Sequence, residues 1–277
     1  MQLTRRVFGQ VAVSGLASSA TLLAQKKIPL AVQLYSVRQL GQKDLAAVLA
    51  EVAKLGFKGV EFAGYYGHEA PAVRKMLDDN GLKVAGTHTG LETLLGDQIA
   101  KTMEFNKAIG NKNLIVPGMP AKYRQGGIEG WKEAAKVFNE ISDKVRGQGF
   151  VVGYHNHTVE FEKPAGATET PFDAFFGTAK PDVKVQLDVG HARRAGADPV
   201  EVIKKYKGRV VSIHIKEYSP TNPEAPLGEG LVPWKDVFST LESTGGIEWY
   251  IVEEEGKGCK EYECIGGAIS RLQKMGK

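Results

Sequence analysis

From residue 28 to the C-terminus, apolar runs of four to seven residues alternate with stretches in which apolar side chains return every three or four positions. The short runs predict strands at 30–34, 59–62, 83–88, 113–116, 150–155, 183–188, 210–215 and 250–253. The longer periodic stretches predict helices at 44–55, 69–80, 98–109, 130–148, 171–178, 199–206, 234–243 and 261–274. Four of these helices run into Gly56, Gly81, Gly110 and Gly149, where a helix end favours a residue free to take positive φ. Eight strand-plus-helix units of about 31 residues each predict a single-domain (β/α)8 TIM barrel over residues 28–277. A doubly wound open sheet is the alternative. The turn after its first strand would carry a glycine fingerprint, whereas Gln33-Leu34-Tyr35-Ser36-Val37-Arg38 contains no glycine.

Strand side chains alternate between faces, so each predicted strand also assigns residues to the barrel interior. If Val211, Ile213 and Ile215 face the helices, then Ser212, His214 and Lys216 face the axis. The same alternation turns Val151, Gly153, His155 and His157 inward on the fifth strand and Lys184, Gln186 and Asp188 on the sixth. On the eighth it turns Trp249, Ile251, Glu253 and Glu255 inward. Two buried carboxylates beside two imidazoles at one rim need a counter-ion, since an unpaired buried charge costs several kcal/mol. A divalent cation held by His155, Asp188, His214 and Glu253 meets that need. Two loops after strands, 156–170 and 218–233, are long enough to cover a substrate at that rim.

Composition narrows the ligand. The 277 residues are 42% hydrophobic and 25% charged with a formal net charge of +4, which suits a globular core and offers no basic stripe for nucleic acid. A small polar or anionic molecule fits better. Thr4-Arg5-Arg6-Val7-Phe8 and the weakly apolar run 11–23 read as a twin-arginine export signal over residues 1–24, which predicts a periplasmic mature protein. That run is too short and polar to span a bilayer, so no stable membrane insertion is expected after cleavage. Cys259 and Cys264 can pair only if Cys259 lies ahead of the last helix. The sequence does not set the oligomeric state, and a homo-oligomer is compatible with it.

Several segments then fall into one order: Gly59-Val60-Glu61-Phe62, Thr87-His88, Tyr154-His155-Asn156-His157 with Glu160-Phe161, Leu187-Asp188-Val189-Gly190-His191, His214-Ile215-Lys216, and Gly228-Glu229-Gly230 before Trp234. With these the chain resembles the xylose-isomerase-like TIM-barrel family of sugar phosphate isomerases and epimerases, over essentially all of 28–277. The resemblance implies one divalent metal ion held by Glu, Asp, His and Glu from strands five to eight. Asp188, His214 and Glu253 match that pattern, and His155 stands where many members have glutamate. Either His155 ligates through nitrogen, Glu160 folds back in its place, or water completes the shell. A nitrogen-containing shell makes Mn²⁺, Zn²⁺, Co²⁺ or Fe²⁺ more plausible than Mg²⁺.

The family's chemistry implies proton abstraction next to the carbonyl of a small carbohydrate, through an enediolate. With an imidazole in place of one carboxylate, a single base is expected, Glu253, with His157 and Lys216 relaying protons or stabilising the enolate oxygen. Their structural alternatives are a supporting hydrogen bond for His157 and a rim salt bridge for Lys216. Glu61, His88, His191 and Trp234 are expected to touch substrate, with Tyr35 a further candidate wall. A lyase or dehydratase acting on keto-sugars or 3-keto-glycosides is the alternative activity. A non-catalytic sugar-binding barrel belongs to a different class, and the family's endonuclease branch would need a larger histidine cluster and a DNA groove.

Overall fold

Eight parallel strands close into a barrel in chain order in the computed structural model, which describes residues 27–255 and 258–277. The strands are β1 Leu30–Gln33, β2 Gly59–Phe62, β3 Lys83–His88, β4 Asn113–Val116, β5 Val151–His155, β6 Lys184–Asp188, β7 Val210–Ile215 and β8 Trp249–Val252. β8 returns to pair with β1, matching Tyr250 to Leu30, Ile251 to Ala31 and Val252 to Val32. This is the TIM barrel expected from the eightfold repeat. The export signal expected over 1–24 lies outside the described residues. Among the described residues no helix is long and apolar enough to cross a membrane.

The alternation works as the sequence implies. Val32, Val60, Phe62, Leu114, Val116, Val152, Tyr154, Val185, Leu187, Ile213, Ile215, Tyr250 and Val252 join the core between barrel and helices. Their chain neighbours turn to the axis. One expectation is corrected on β7. Its pairing with β6 slips at Val185/Gln186, so that Val185 pairs with Val210 and Gln186 with Ser212. Val210, not Val211, thereby joins the shell core, while Ser212 and His214 keep their inward direction.

Helix boundaries follow local chemistry. The Asp44 carboxylate accepts from the Ala47 N–H and opens the helix Leu45–Lys54, and Thr170 does the same for Pro171–Thr178 through Asp173 N–H. Three short helices escaped the sequence reading: Arg38–Gly41, Ala121–Gln125 and Val189–Arg194. The last starts directly at the end of β6, because Asp188 is its N-cap. Cys259 lies two residues ahead of the helix Glu261–Lys274, and the Cys259 and Cys264 Cα atoms are 5.7 Å apart and disulfide-bonded.

The loop after β7 is held down rather than left free. The Glu217 carboxylate accepts from the N–H groups of Tyr218 (2.9 Å), Gly228 (2.7 Å) and Val232 (3.2 Å), and from Trp234 Nε1 (2.8 Å). A Cβ at Gly230 would collide with that same carboxylate and with the Tyr218 carbonyl, so the second glycine of Gly228-Glu229-Gly230 is a packing requirement.

Candidate metal centre

His155 ends β5, Asp188 ends β6, His214 is the penultimate residue of β7, and Glu253 follows β8 with its N–H donating to Ile215 O at 3.2 Å. All four are buried, and each offers one ligand atom within 4.8 Å of the others. The strand ends thus bring together the four residues expected to share an ion. His88 also reaches the centre, grouping with His155 and His214 at the same spacing.

Asp188 carries the clearest sign of what is to be held there. Its Oδ1 accepts from the His191 N–H at 2.7 Å, the helix cap described above. Among the described residues its Oδ2 is buried with no hydrogen-bond partner, and Lys216 Nζ stands 3.4 Å away. Leaving a buried carboxylate oxygen unbonded costs on the order of 1–3 kcal/mol or more, so the group is shaped for a ligand to that oxygen. Asn156 fixes the segment: its Oδ1 accepts from Asp188 N–H at 3.0 Å, and its Nδ2 donates to Asp188 O at 3.2 Å. Two imidazoles, two carboxylates and an unbonded carboxylate oxygen fit a divalent transition ion.

The His214 ring lies between two carboxylates, Nδ1 facing Glu253 Oε2 at 2.9 Å and Nε2 facing Glu61 Oε2 at 2.6 Å. Burial works against the imidazolium, but Glu253 and Glu61 outweigh it and push the pKa up to about 10. Burial alone would raise Glu253, yet His214, Lys216 and His155 bring its carboxyl well below the usual range. Burial, reinforced by the other imidazoles, holds His155 well below an ordinary histidine, so it stays neutral and able to ligate.

Lys216 sits where the sequence placed it, its Nζ 2.9 Å from Glu253 Oε2, 3.3 Å from Glu255 Oε1 and 3.4 Å from His191 Nε2. Although burial opposes the charge, Asp188, Glu253 and Glu255 raise its pKa, so it is an ammonium. That removes a proton-accepting role and leaves it as a donor or fixed positive charge. His191 reaches the same place, with Nδ1 3.0 Å from Thr158 Oγ1. His157 is exposed above them, its ring 5.0 Å from His155 and 5.1 Å from His191.

Three expectations need correction. Glu160 does not fold back to the ion: it is buried, accepting from Tyr154 Oη at 2.6 Å and from His157 N–H at 2.8 Å, and Tyr154 belongs to the outer core. Glu61 is fully buried beneath His214 and has no access to a substrate at the rim. Trp234 stacks on Phe238 in the helical shell and spends its N–H on Glu217, which makes it a loop anchor. His88 is nearly buried, bonding Gln186 Oε1 at 2.8 Å, and sits at the floor of the centre. Tyr35 is exposed, 42% accessible, with the Arg38 guanidinium over its ring.

The sequence alone assigns no role to Gln33, Asn156 or Glu217. Gln33 is an inward polar residue in an otherwise apolar strand, a signal that was legible. The other two lie beyond strand ends, where alternation no longer assigns a direction.

A model of the family described as xylose isomerase-like TIM barrel matches residues 49–274. An inosose dehydratase of Serratia proteamaculans (strain 568) is 24% identical over 246 residues, covering 75% of this chain and 81% of that protein. The rhizopine catabolism protein MocC of Rhizobium meliloti is 23% identical over 251 residues, covering 78% and 76%. Among solved structures, a sugar phosphate isomerase/epimerase of Parabacteroides distasonis ATCC 8503 superposes with a TM-score of 0.77 at 26% identity, covering 90% of this chain and 98% of that one.

Proposed function

Because this chain belongs to the xylose isomerase-like TIM barrel family and is an enzyme of the sugar isomerase/epimerase-like type, we propose that it removes a proton next to the carbonyl of a small carbohydrate or cyclic keto-polyol, with one divalent cation at His155, Asp188, His214 and Glu253. The observation that carries this reading is Asp188 Oδ2, buried and unbonded among three further ligand atoms. When bound, a divalent ion supplies a Lewis acid that polarises the carbonyl and stabilises the enolate. A nitrogen-containing donor set favours Mn²⁺, Zn²⁺, Co²⁺ or Fe²⁺ over Mg²⁺.

Glu253 is the base. Its Oε2 takes both His214 Nδ1 and Lys216 Nζ at 2.9 Å, so Oε1 is the oxygen left to accept the substrate proton. Lys216, held as an ammonium, is the donor on the same side, and His191 Nε2 at 3.4 Å can share its proton. His157, exposed at the mouth, exchanges protons with solvent in this reading.

Loss of water is the outcome this arrangement favours over epimerisation. An epimerase that trades protons on two faces needs a second base, and the fifth strand offers His155, whose Nδ1 is tied to Gln186 Oε1 at 3.0 Å. A dehydratase needs one base and one acid, which Glu253 and Lys216 supply. The dehydratase relative is consistent with this choice and the isomerase/epimerase relative keeps the other reading in view.

Incubation of the Mn²⁺-loaded protein with an inosose in D₂O tests it. Formation of the dehydrated product supports the reading, and solvent deuterium entering unchanged or inverted substrate supports the epimerase instead. No exchange and no turnover with inososes, keto-sugars or 3-keto-glycosides overturns both. Export belongs to the same proposal. Changing Arg5 and Arg6 to lysine together should move the protein from the periplasmic to the cytoplasmic fraction.

A further inference from the structure

Beneath the four ligand residues lies a chain of side chains whose hydrogen bonds leave no choice of orientation. Gln33 Oε1 accepts the Tyr35 backbone N–H at 3.0 Å, so its amide nitrogen must face Glu61 Oε2, 2.8 Å away. The Glu61 carboxylate only accepts, so the group facing its Oε1 at 2.7 Å must be the amide nitrogen of Gln186, which also donates to Ser212 Oγ at 3.0 Å. Gln186 Oε1 is thereby turned toward His155 Nδ1 (3.0 Å) and His88 Nε2 (2.8 Å). A carbonyl oxygen accepts only, so both of those ring nitrogens carry the proton. Glu61 is fully buried, and a Cβ at Gly86 would come within 2.7 Å of its Oε1, so the absence of a side chain there makes its room.

We propose that Gln186, itself oriented by Glu61, is a positioning residue that sets the tautomer of His155, so that this imidazole turns its unprotonated nitrogen toward the metal. The proposal rests on the metal reading above. With its proton on Nδ1, the neutral His155 ring has Nε2 as its only lone pair. Hydrogen-bonding the second nitrogen of a ligating imidazole fixes its tautomer and raises its basicity. A glutamate at the fifth strand would need no such control, since either oxygen ligates; a histidine does. Gln186 is therefore the residue that makes His155 serviceable at this position.

The test exchanges the two groups. In Glu61→Gln the new amide nitrogen opposes either Gln186 Nε2 or the His214 Nε2–H, so either Gln186 must turn its oxygen away from His155 or His214 must give up its Nε2–H. In the double variant Glu61→Gln/Gln186→Glu the pattern is restored. Residue 186 then accepts from both histidines, Ser212 and the new amide nitrogen, while the residue 61 oxygen accepts from His214 and Gln33. Two readouts are taken: the His155 tautomer by nitrogen-detected histidine NMR of the metal-free protein, and Mn²⁺ and Co²⁺ affinity, with the Co²⁺ visible spectrum reporting the nitrogen ligands. Wild type should show the Nδ1–H form of His155. Glu61→Gln should bind metal about 10- to 100-fold more weakly, and the double variant should recover to within about threefold. If Glu61→Gln does not fold, Gln186→Met removes the acceptor at similar volume and should lose the Nδ1–H form. An Nε2–H His155 in wild type, or a double variant as weak as the single one, overturns the proposal. Wild-type protein with the expected tautomer that binds no divalent ion overturns the metal reading instead.

Discussion

At the end where the strands begin, the barrel interior is filled by Ala31, Ala85, Trp249 and Ile251, an apolar cluster separate from the outer core. At the end where they finish, the same interior holds Gln33, Glu61, His88, His155, Gln186, Asp188, His214 and Glu253. The same strands supply both ends: β1 gives Ala31 and then Gln33, and the β8 segment gives Trp249, Ile251 and then Glu253. The first end is solved mainly by volume, with one buried amide, Asn113, donating from Nδ2 to the Ala85 carbonyl at 2.9 Å. Gly59 lacks a Cβ where the Trp249 ring passes, since a Cβ there would lie 2.8 Å from it. The second end is solved by donors and acceptors, each buried polar atom needing a named partner. It leaves Asp188 Oδ2 without one. The contrast is between an end that stabilises the barrel and an end that is held in place for chemistry.

If the two ends are independent, Trp249→Ala should lower unfolding free energy by about 3–5 kcal/mol, read by denaturant melts, while metal affinity stays within about threefold of wild type. Coupled loss of metal binding in folded protein would break the comparison. Asp188→Asn should act in the opposite sense. It removes the charge from the unbonded oxygen, and metal affinity should fall by about 10²-fold or more by titration, with little loss of stability. Saturating wild-type protein with Mn²⁺ or Zn²⁺ at about 100 times the dissociation constant should add about 2.7 kcal/mol of stability, reversed by EDTA. Asp188→Asn should show almost none of that gain at the same concentration.

The smallest effect is expected in the helical shell, outside both ends. Burial would raise the Asp173 carboxyl, but Lys205 at 2.7 Å and Tyr206 Oη at 2.8 Å hold it below the usual range. A depressed carboxylate contributes stability that is present above its unfolded pKa near 3.8 and is lost as pH falls through the folded value. Because the group is half exposed, Asp173→Asn should cost under about 1 kcal/mol at pH 7 and flatten the acid limb of the melting profile, without altering metal binding.

Much of the polar end was legible. Gln186 and Asp188 on one strand, and Ser212, His214 and Lys216 on another, follow from a period of two. Depth was not legible. His88 ends its strand as Asp188 does and Glu61 is one residue short of the end of its own, yet Glu61 lies under His214, because strand stagger around a closed barrel decides which strand end is rim and which is floor. Glu160 differs again: it follows β5 by five residues, and a single turn, Val159–Phe161, carries it back to Tyr154.

The sequence by itself determined the barrel, its eight strands, and the convergence of His155, Asp188, His214 and Glu253. Those follow from local periodicity and chain order, which need no knowledge of distant partners. The tertiary structure alone decided that Asp188 Oδ2 is unbonded, that Glu61 serves His214, and that Gln186 orients His155. The last two are relations between side chains 153 and 31 positions apart along the chain. Hydrogen bonds at about 3 Å are set by stagger and packing, which a one-dimensional pattern does not contain.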